Sequence, residues 1–122
     1  MKFYRCKHCG NIITKLTDKN VPVLCCGEVM EEYLPNMTEA AVEKHKPVIV
    51  EEDGQKYAVV GSVVHPMTEA HYIEWMVVDY GDHQVVKHFE PTDEPKLKIC
   101  NHAEIKDIFA YCNLHGLWKL DK

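Results

Sequence analysis

No stretch of this sequence approaches the roughly 18 consecutive apolar residues that a membrane-spanning helix requires. The first residues, Met1 to Cys6, run directly into a Cys/Gly motif with no apolar segment of a secretion signal behind them. We find no internal repeat and no low-complexity segment. These absences favour a cytoplasmic protein with no membrane partner, and thiols stay reduced in that compartment.

Positive charge is also scarce, because 14 Lys and Arg residues face 19 Asp and Glu residues and leave a formal net charge of −5. This balance gives no bulk attraction for nucleic acid or for an anionic membrane. An anionic substrate would therefore need a local patch of positive charge. Hydrophobic residues make up 46% of the chain, which is enough for a real core and excludes disorder or a collagen-like repeat.

The six cysteines are unevenly distributed, since four lie in the first 36 of 122 residues. That segment has little apolar periodicity, whereas residues 37–122 hold most of the Val, Ile, Trp and His. A unit of about 36 residues is too small to rely on a hydrophobic core and usually needs a metal or disulfides. The sequence therefore predicts two domains, residues 1–36 and 37–122.

The second segment reads mainly as β-structure. A short helix is predicted first, over 39–44, with Thr38 as its N-cap and Pro47 limiting its extent. Hairpin turns follow at Asp53-Gly54 and Gly81-Asp82. Strands are predicted at 48–50, 57–60, 72–78, 84–89 and 96–100, while 104–109 fits either a strand or a helix. Short strands separated by turns predict an antiparallel sandwich.

The cysteines of the first segment have the spacing of a metal site. Cys6 and Cys9 form a Cys-x-x-Cys knuckle followed by Gly10, and the adjacent pair Cys25-Cys26 follows later. Four thiolates from two loops suit a tetrahedral site for iron or zinc, although adjacent ligands should distort it. The alternative is a Cys25–Cys26 disulfide, but neighbouring Cα atoms are only about 3.8 Å apart, shorter than in ordinary disulfides. A metal site is the favoured interpretation.

A second group of potential ligands lies in the β segment. Cys112 and His115 are spaced so that one tight loop can present a sulfur and an imidazole to the same ion, and Gly116 permits the turn. His45, His65 and His71 are further candidates, although a single histidine in a β domain is more often a surface residue. The remaining residues of these types are interpreted as surface histidines or as a core thiol: His83, His88, His102 and Cys100.

The ordered series of motifs resembles the desulfoferrodoxin family of two-iron superoxide reductases. The motifs are Cys6-x-x-Cys9, Cys25-Cys26, Glu43-Lys44-His45, Gly61 to Met67, His71 to Trp75 and Tyr111 to Gly116. The resemblance covers essentially the whole chain. It implies an all-β protein, in which a desulforedoxin-like (rubredoxin-like) domain precedes an immunoglobulin-like antiparallel sandwich with 104–109 as strand.

The resemblance also implies two iron ions. Cys6, Cys9, Cys25 and Cys26 would hold one of them in a rubredoxin-like site with four cysteine ligands. The second would have four equatorial imidazoles and one axial sulfur, from His45, His65, His71, His115 and Cys112. Five such ligands leave one position open, and zinc suits this set poorly because it has no redox chemistry and usually stops at four ligands.

The implied reaction reduces superoxide, with one electron and two protons, to hydrogen peroxide. Lys44, helped by Lys46, would attract the anion, and Glu43 would take the open position once the iron is oxidised; without the resemblance both Glu43 and Lys44 read as ordinary exposed helix residues. A rubredoxin is the expected electron donor and a homodimer the expected assembly. The alternatives are a metal-stabilised binding module without redox catalysis and a superoxide dismutase.

Overall fold

The computed structural model describes residues 1–37, 45–61 and 65–120 of the chain. These residues divide into two compact units, Met1–Leu34 and Pro35–Lys122. Every element within the described ranges is a β-strand, and every strand pair is antiparallel. The all-β prediction is therefore confirmed, whereas the helix predicted over 39–44 lies outside the described residues. Among the described residues no helix is long and apolar enough to span a membrane.

The first unit consists of two small sheets. Its strands are β1 (Phe3–Arg5), β2 (Ile12–Ile13), β3 (Leu24–Cys25), β4 (Glu28–Val29) and β5 (Glu31–Tyr33). Three of them form a sheet in the order β2-β1-β5, and β3 pairs with β4 in a separate hairpin. Strands of two or three residues bury little apolar surface, so this unit has only a few buried side chains, among them Phe3, Cys6 and Met30.

The second unit is a sandwich of two sheets. Its strands are β6 (Pro47–Glu52), β7 (Gln55–Val60), β8 (Ile73–Asp79), β9 (Gln84–His88), β10 (Lys96–Lys98), β11 (Asp107–Cys112) and β12 (Gly116–Lys119). One sheet has the order β10-β7-β6 and the other has the order β12-β11-β8-β9. Alternate residues from both sheets form one buried cluster that includes Ala58, Leu97, Ile73, Ile108 and Cys112.

Turn chemistry explains the hairpin between β6 and β7. Glu52 pairs with Gln55, so the connection has two residues, and Asp53 and Gly54 have φ values of 51° and 79°. Positive φ at both central positions defines the type I′ turn that Asp-Gly favours. The predicted Asp53-Gly54 hairpin is confirmed.

Two other regions answer questions that the sequence pattern raised. The segment 104–109 was compatible with helix or strand, and its second half, from Asp107, is part of β11. Cys100, predicted as a core thiol, is exposed instead. The reason is the alternation itself: Leu97 and Ile99 are buried, whereas Cys100 falls on the outward face with Lys98. The backbone N–H of Cys100 donates to the Tyr80 hydroxyl.

Candidate metal centres

The first candidate centre is built on the knuckle at Cys6 and Cys9. The N–H of Gly10 donates to the carbonyl of Cys6 (3.0 Å), and Gly10 has a φ of 83°, which turns the chain back sharply. The N–H of Cys9 points at the Cys6 sulfur (3.5 Å), and the N–H of Asn11 points at the Cys9 sulfur (3.4 Å). Such N–H groups stabilise thiolates, as in other Cys-x-x-Cys sites.

The second half of this centre is the two-residue turn between β3 and β4. Cys25 ends β3 and pairs with Glu28, while Cys26 and Gly27 have φ values of 52° and 79°. This is again the type I′ pattern, and the left-handed conformation of Cys26 rotates its side chain relative to that of Cys25. The turn explains how two adjacent cysteines serve one site.

All four sulfurs of this centre come together. The Sγ atoms of Cys6, Cys9, Cys25 and Cys26 lie within 4.8 Å of one another, and those of Cys9 and Cys25 are 3.5 Å apart. Four thiolates at tetrahedral metal–sulfur distances have sulfurs about 3.8 Å apart. All the cysteines are free thiols, so the alternative of a Cys25–Cys26 disulfide is not adopted.

A neighbouring aromatic side chain of the first unit is Tyr4, in the middle of β1. Its ring stacks under the ammonium of Lys15 at 4.9 Å, and its hydroxyl is directed at Asp18. Tyr4 therefore has a structural place in the first unit and is not one of the four ligands.

The thiols of this cluster differ in pKa and therefore in how readily they ionise. Hydrogen bonding from the N–H of Cys9 lowers the pKa of Cys6 to about 6. Hydrogen bonds with the surrounding thiols, Cys6 first, raise the pKa of Cys26 to about 12. Ionisation of one thiol therefore opposes ionisation of the next, and a cation at the centre removes that conflict. The donor set thus fits a metal ion with four thiolate ligands.

The second candidate centre is assembled from four separate parts of the sandwich unit. His45 lies just before β6, and His65 and His71 lie in the connection between β7 and β8. Cys112 is the last residue of β11, and His115 lies in the turn to β12, where Gly116 has a φ of 84°. The predicted role of Gly116 in a sharp turn is therefore confirmed.

The four imidazole rings form a square. Ring centroids of neighbours are 4.8 Å (His45–His65), 4.7 Å (His65–His71), 4.9 Å (His71–His115) and 4.6 Å (His115–His45) apart. The diagonal from His45 to His71 measures 6.3 Å. Neighbouring rings are tilted by 76–79° to each other, so each ring presents an edge to the centre of the square. Nδ1 of His115 and Nε2 of His45 approach to 2.9 Å.

Cys112 supplies a sulfur next to this square. Ligand atoms of His45, His65, His71 and Cys112 lie within 4.8 Å of one another, and the Cys112 sulfur is 3.9 Å from Nδ1 of His115. The sulfur can therefore reach the same ion as the four rings. Burial raises the pKa of the Cys112 thiol, while the N–H groups of His115 and Leu114 bond to its sulfur and act in the opposite direction.

A β-bulge on β8 lies opposite Cys112. Tyr111 pairs with Trp75, but Cys112 pairs with Ile73, so Glu74 on β8 has no partner on β11. A bulge re-aims the side chains around it, and bulges are frequent beside functional sites. Here the extra residue on β8 brings Ile73 onto the core face, where Met76 and Val78 also lie. Cys112 follows the regular alternation of β11 and faces the core opposite Ile73, with an exposure of 0%.

The protonation state of His65 tests whether this centre fits a metal. Burial lowers the pKa of His65 to about 4, so the ring is neutral near pH 7. Nδ1 lies 2.7 Å from the carbonyl oxygen of Pro66, which assigns the proton to that nitrogen. Nε2 is buried and has no hydrogen-bond partner among the described residues. A buried, unprotonated imidazole nitrogen aimed at other ligands is the arrangement of a metal-binding histidine.

Trp118 is part of this centre, and the sequence analysis did not single it out. Its side chain is 1% exposed, its indole stacks on the His45 ring at 5.1 Å, and its Nε1–H donates to the carbonyl of His115 (3.1 Å). It contacts two candidate ligands without being one. The only signal in the sequence was a tryptophan three residues after His115, which is also typical of an ordinary core strand.

The other predicted residues are placed as follows. Glu43 and Lys44 lie outside the described residues, while Lys46 is half-buried next to His45. The histidines predicted to lie on the surface, His83, His88 and His102, are exposed.

Comparison with known proteins identifies the family of this chain. The profile of the family described as Desulfoferrodoxin matches residues 37–121. The chain is 42% identical to a desulfoferrodoxin homolog of Archaeoglobus fulgidus, over 98% of this chain and 95% of that one, and 38% identical to a desulfoferrodoxin of Nitratidesulfovibrio vulgaris, over 98% and 95%. The fold matches the crystal structure of the superoxide reductase from Treponema pallidum with a TM-score of 0.75 and 26% identity, over 98% of each chain. The chain therefore belongs to the desulfoferrodoxin family.

Proposed function

We propose that this protein is a superoxide reductase. In the reaction, superoxide takes up one electron and two protons and becomes hydrogen peroxide, with an external donor restoring the electron. The observation that carries the proposal is the square of four imidazoles with the buried Cys112 sulfur next to it. Iron held by these residues would supply a Fe(II)/Fe(III) couple for the reaction. The second iron belongs to the four-cysteine centre.

The chain's own residues prepare this centre in three ways. The Pro66 carbonyl fixes the tautomer of His65, so its Nε2 is ready to bind without a change of protonation. The N–H groups of Leu114 and His115 bond to the Cys112 sulfur and moderate its electron donation. Burial of Cys112 keeps water from its sulfur.

Attraction of the anionic substrate is assigned to Lys44 and Lys46. The formal net charge of −5 repels superoxide at long range, so local positive charge must offset it. Lys44 precedes His45 directly and Lys46 follows it. Glu43 is proposed as the carboxylate that takes the open position in the oxidised protein. Roles for Glu43 and Lys44 rest on their place in the sequence and on the family resemblance.

The assembly and its surroundings remain proposals as well. We expect a homodimer, a cytoplasmic location, a rubredoxin as electron donor, and no nucleic-acid or membrane partner. We also expect the chain to act as two domains, 1–36 and 37–122. Light scattering after size-exclusion chromatography tests the dimer, and reduction by purified rubredoxin tests the donor.

Replacement of Cys112 tests the function against its alternatives. Full-length protein is loaded with iron, and its visible absorption and superoxide reactivity are compared with those of Cys112→Ser. Because a hydroxyl is a harder and weaker donor than a thiolate, the variant should lose the thiolate charge-transfer band of this centre and its peroxide formation. The absorption of the four-cysteine iron should stay.

Cys100→Ser is the matched control, because Cys100 is an exposed thiol outside both clusters. It should keep both spectra and the activity. Unchanged activity and absorption in Cys112→Ser would contradict the proposal. A colourless wild-type protein containing zinc would favour a metal-stabilised binding module instead.

A further inference from the structure

Asn113 lies in the turn between Cys112 and His115, but its side chain reaches a different loop. Its Nδ2 donates to the carbonyl of Ala70 (3.1 Å), and its Oδ1 accepts from the N–H of Tyr72 (3.0 Å). These two groups belong to the peptide units on either side of His71. One amide therefore bonds to both peptide groups that flank a candidate ligand.

The backbone around His71 is held from the other side as well. His71 and Thr68 exchange two backbone hydrogen bonds, of 3.1 Å and 2.9 Å, across a tight turn. The N–H of Asn113 also donates to the carbonyl of Tyr72 (3.2 Å). Thr68 fixes the shape of the loop, whereas Asn113 ties that loop to the turn that carries Cys112 and His115.

We infer that Asn113 is a positioning residue that sets the place of His71 relative to Cys112. The inference rests on the proposed function, in which both residues bind one metal ion. Metal sites lose affinity when the groups that orient their ligands are removed, typically by about 10- to 100-fold. His71 and Cys112 come from separate loops, so a link between the loops is the element that keeps the site formed before metal arrives.

Asn101 provides a matched control within the same unit. Its Nδ2 donates to the carbonyl of Gly54 (2.7 Å), and its Oδ1 accepts from the N–H of Lys56 (2.9 Å). Asn101 thus hydrogen-bonds to both peptide groups that flank Gln55, as Asn113 does to those that flank His71. Both asparagines are half-buried. Asn101 holds a hairpin that carries no candidate ligand.

The experiment compares Asn113→Leu with Asn101→Leu in the full-length, iron-loaded chain. Ferrous protein is mixed anaerobically with an excess of a coloured ferrous chelator, and the phase that is absent in Cys112→Ser is assigned to the histidine centre. We expect iron release in that phase to be about 10- to 100-fold faster in Asn113→Leu and unchanged in Asn101→Leu. The melting temperature of metal-free Asn101→Leu should fall at least as far as that of Asn113→Leu, because Asn101 also accepts a third hydrogen bond, from Nε2 of Gln55 (3.3 Å).

A spectroscopic readout separates positioning from general loss of stability. The thiolate charge-transfer band of the oxidised protein should shift in Asn113→Leu and stay in place in Asn101→Leu. If Asn113→Leu does not fold, Asn113→Asp takes its place, since it keeps the acceptor for Tyr72 and loses only the donor to Ala70. Equal iron release from the Asn113 variant and the Asn101 control would overturn the inference.

Failure of the proposed function gives a different result. It would appear as a wild-type protein that holds no iron at the histidine centre. The inference is then tested by zinc release from the same variants, because the hydrogen bonds of Asn113 hold the position of His71 whichever metal is bound.

Discussion

Replacing Trp118 should weaken the histidine centre without removing any of its ligands. The indole is 1% exposed, stacks on His45 at 5.1 Å with an interplanar angle of 22°, and donates its N–H to the His115 carbonyl. Trp118→Phe keeps an aromatic ring against His45 but removes the donor. Trp118→Leu removes both the ring and the donor.

The expected magnitudes follow from these two contacts. Loss of the hydrogen bond costs about 1 kcal/mol, and loss of the ring contact costs about 0.5–1.5 kcal/mol more. For a unit of this size, 1 kcal/mol lowers the melting temperature by about 4–8 °C. Because each smaller side chain also leaves a cavity, Trp118→Phe should lower it by at least that amount, and Trp118→Leu by about twice as much or more.

The assay is thermal unfolding of the metal-free protein, followed by circular dichroism, together with iron release from the loaded protein. Trp75→Phe is the control, since Trp75 stacks on Tyr111 (5.4 Å) on the other face of the sheet. Both Trp118 variants should release iron faster than wild type, while the Trp75 variant should not. Equal melting temperatures for Trp118→Phe and Trp118→Leu would refute the role of the stack, and wild-type iron release in both would refute the support of His45 and His115.

Three further predictions concern other parts of the chain. Cys25→Ser, like Cys9→Ser, should abolish the iron of the four-cysteine centre but leave peroxide formation intact when a chemical reductant is supplied. If metal analysis shows that this iron is lost and the assay shows that peroxide formation stops as well, the two centres depend on each other. Lys44→Ala should slow the reaction with superoxide about tenfold at low salt and flatten its salt dependence in stopped-flow mixing, whereas the exposed Lys98→Ala should do neither. Burial opposes ionisation of Asp79, but hydrogen bonds from Gln84 and from the N–H of Gly81 outweigh it and hold its pKa below the usual value. The stabilisation is therefore complete above the unfolded pKa of about 3.9 and lost as pH falls through the folded pKa, so urea unfolding from about pH 6 to about pH 2 should be less pH-dependent in Asp79→Asn than in wild type.

Local features of both units could be predicted from the sequence because they depend only on residues that are close together in the chain. The Asp53-Gly54 turn needs positive φ at both residues, and Asp-Gly is among the pairs that adopt it readily. The Cys6-x-x-Cys9 knuckle closes over a few residues, so its spacing alone indicates a metal site. The strand alternation was equally clear, and the prediction of Cys100 as a core thiol was wrong because that alternation puts residue 100 on the face of Lys96 and Lys98.

The histidine centre could not be predicted from spacing, because its ligands come from separate loops. His45 and His115 are 70 positions apart, yet their ring nitrogens approach to 2.9 Å. Their assembly was predicted only through the family resemblance. The supporting residues Asn113 and Trp118 gave no distinctive signal, since an asparagine in a turn and a tryptophan on a strand are common in any β-sandwich. The bulge at Glu74 depends on strand register, which hydrophobic alternation does not reveal.

The most direct test of the proposed function is the product ratio when a pulse of superoxide reacts with the fully reduced, iron-loaded protein. A superoxide reductase forms one hydrogen peroxide for each superoxide consumed, releases no dioxygen and leaves one oxidised iron at the histidine centre for each turnover. That result is the one we predict. Formation of one peroxide and one dioxygen for every two superoxide ions, with the iron returned to its starting state, would contradict it and identify a dismutase.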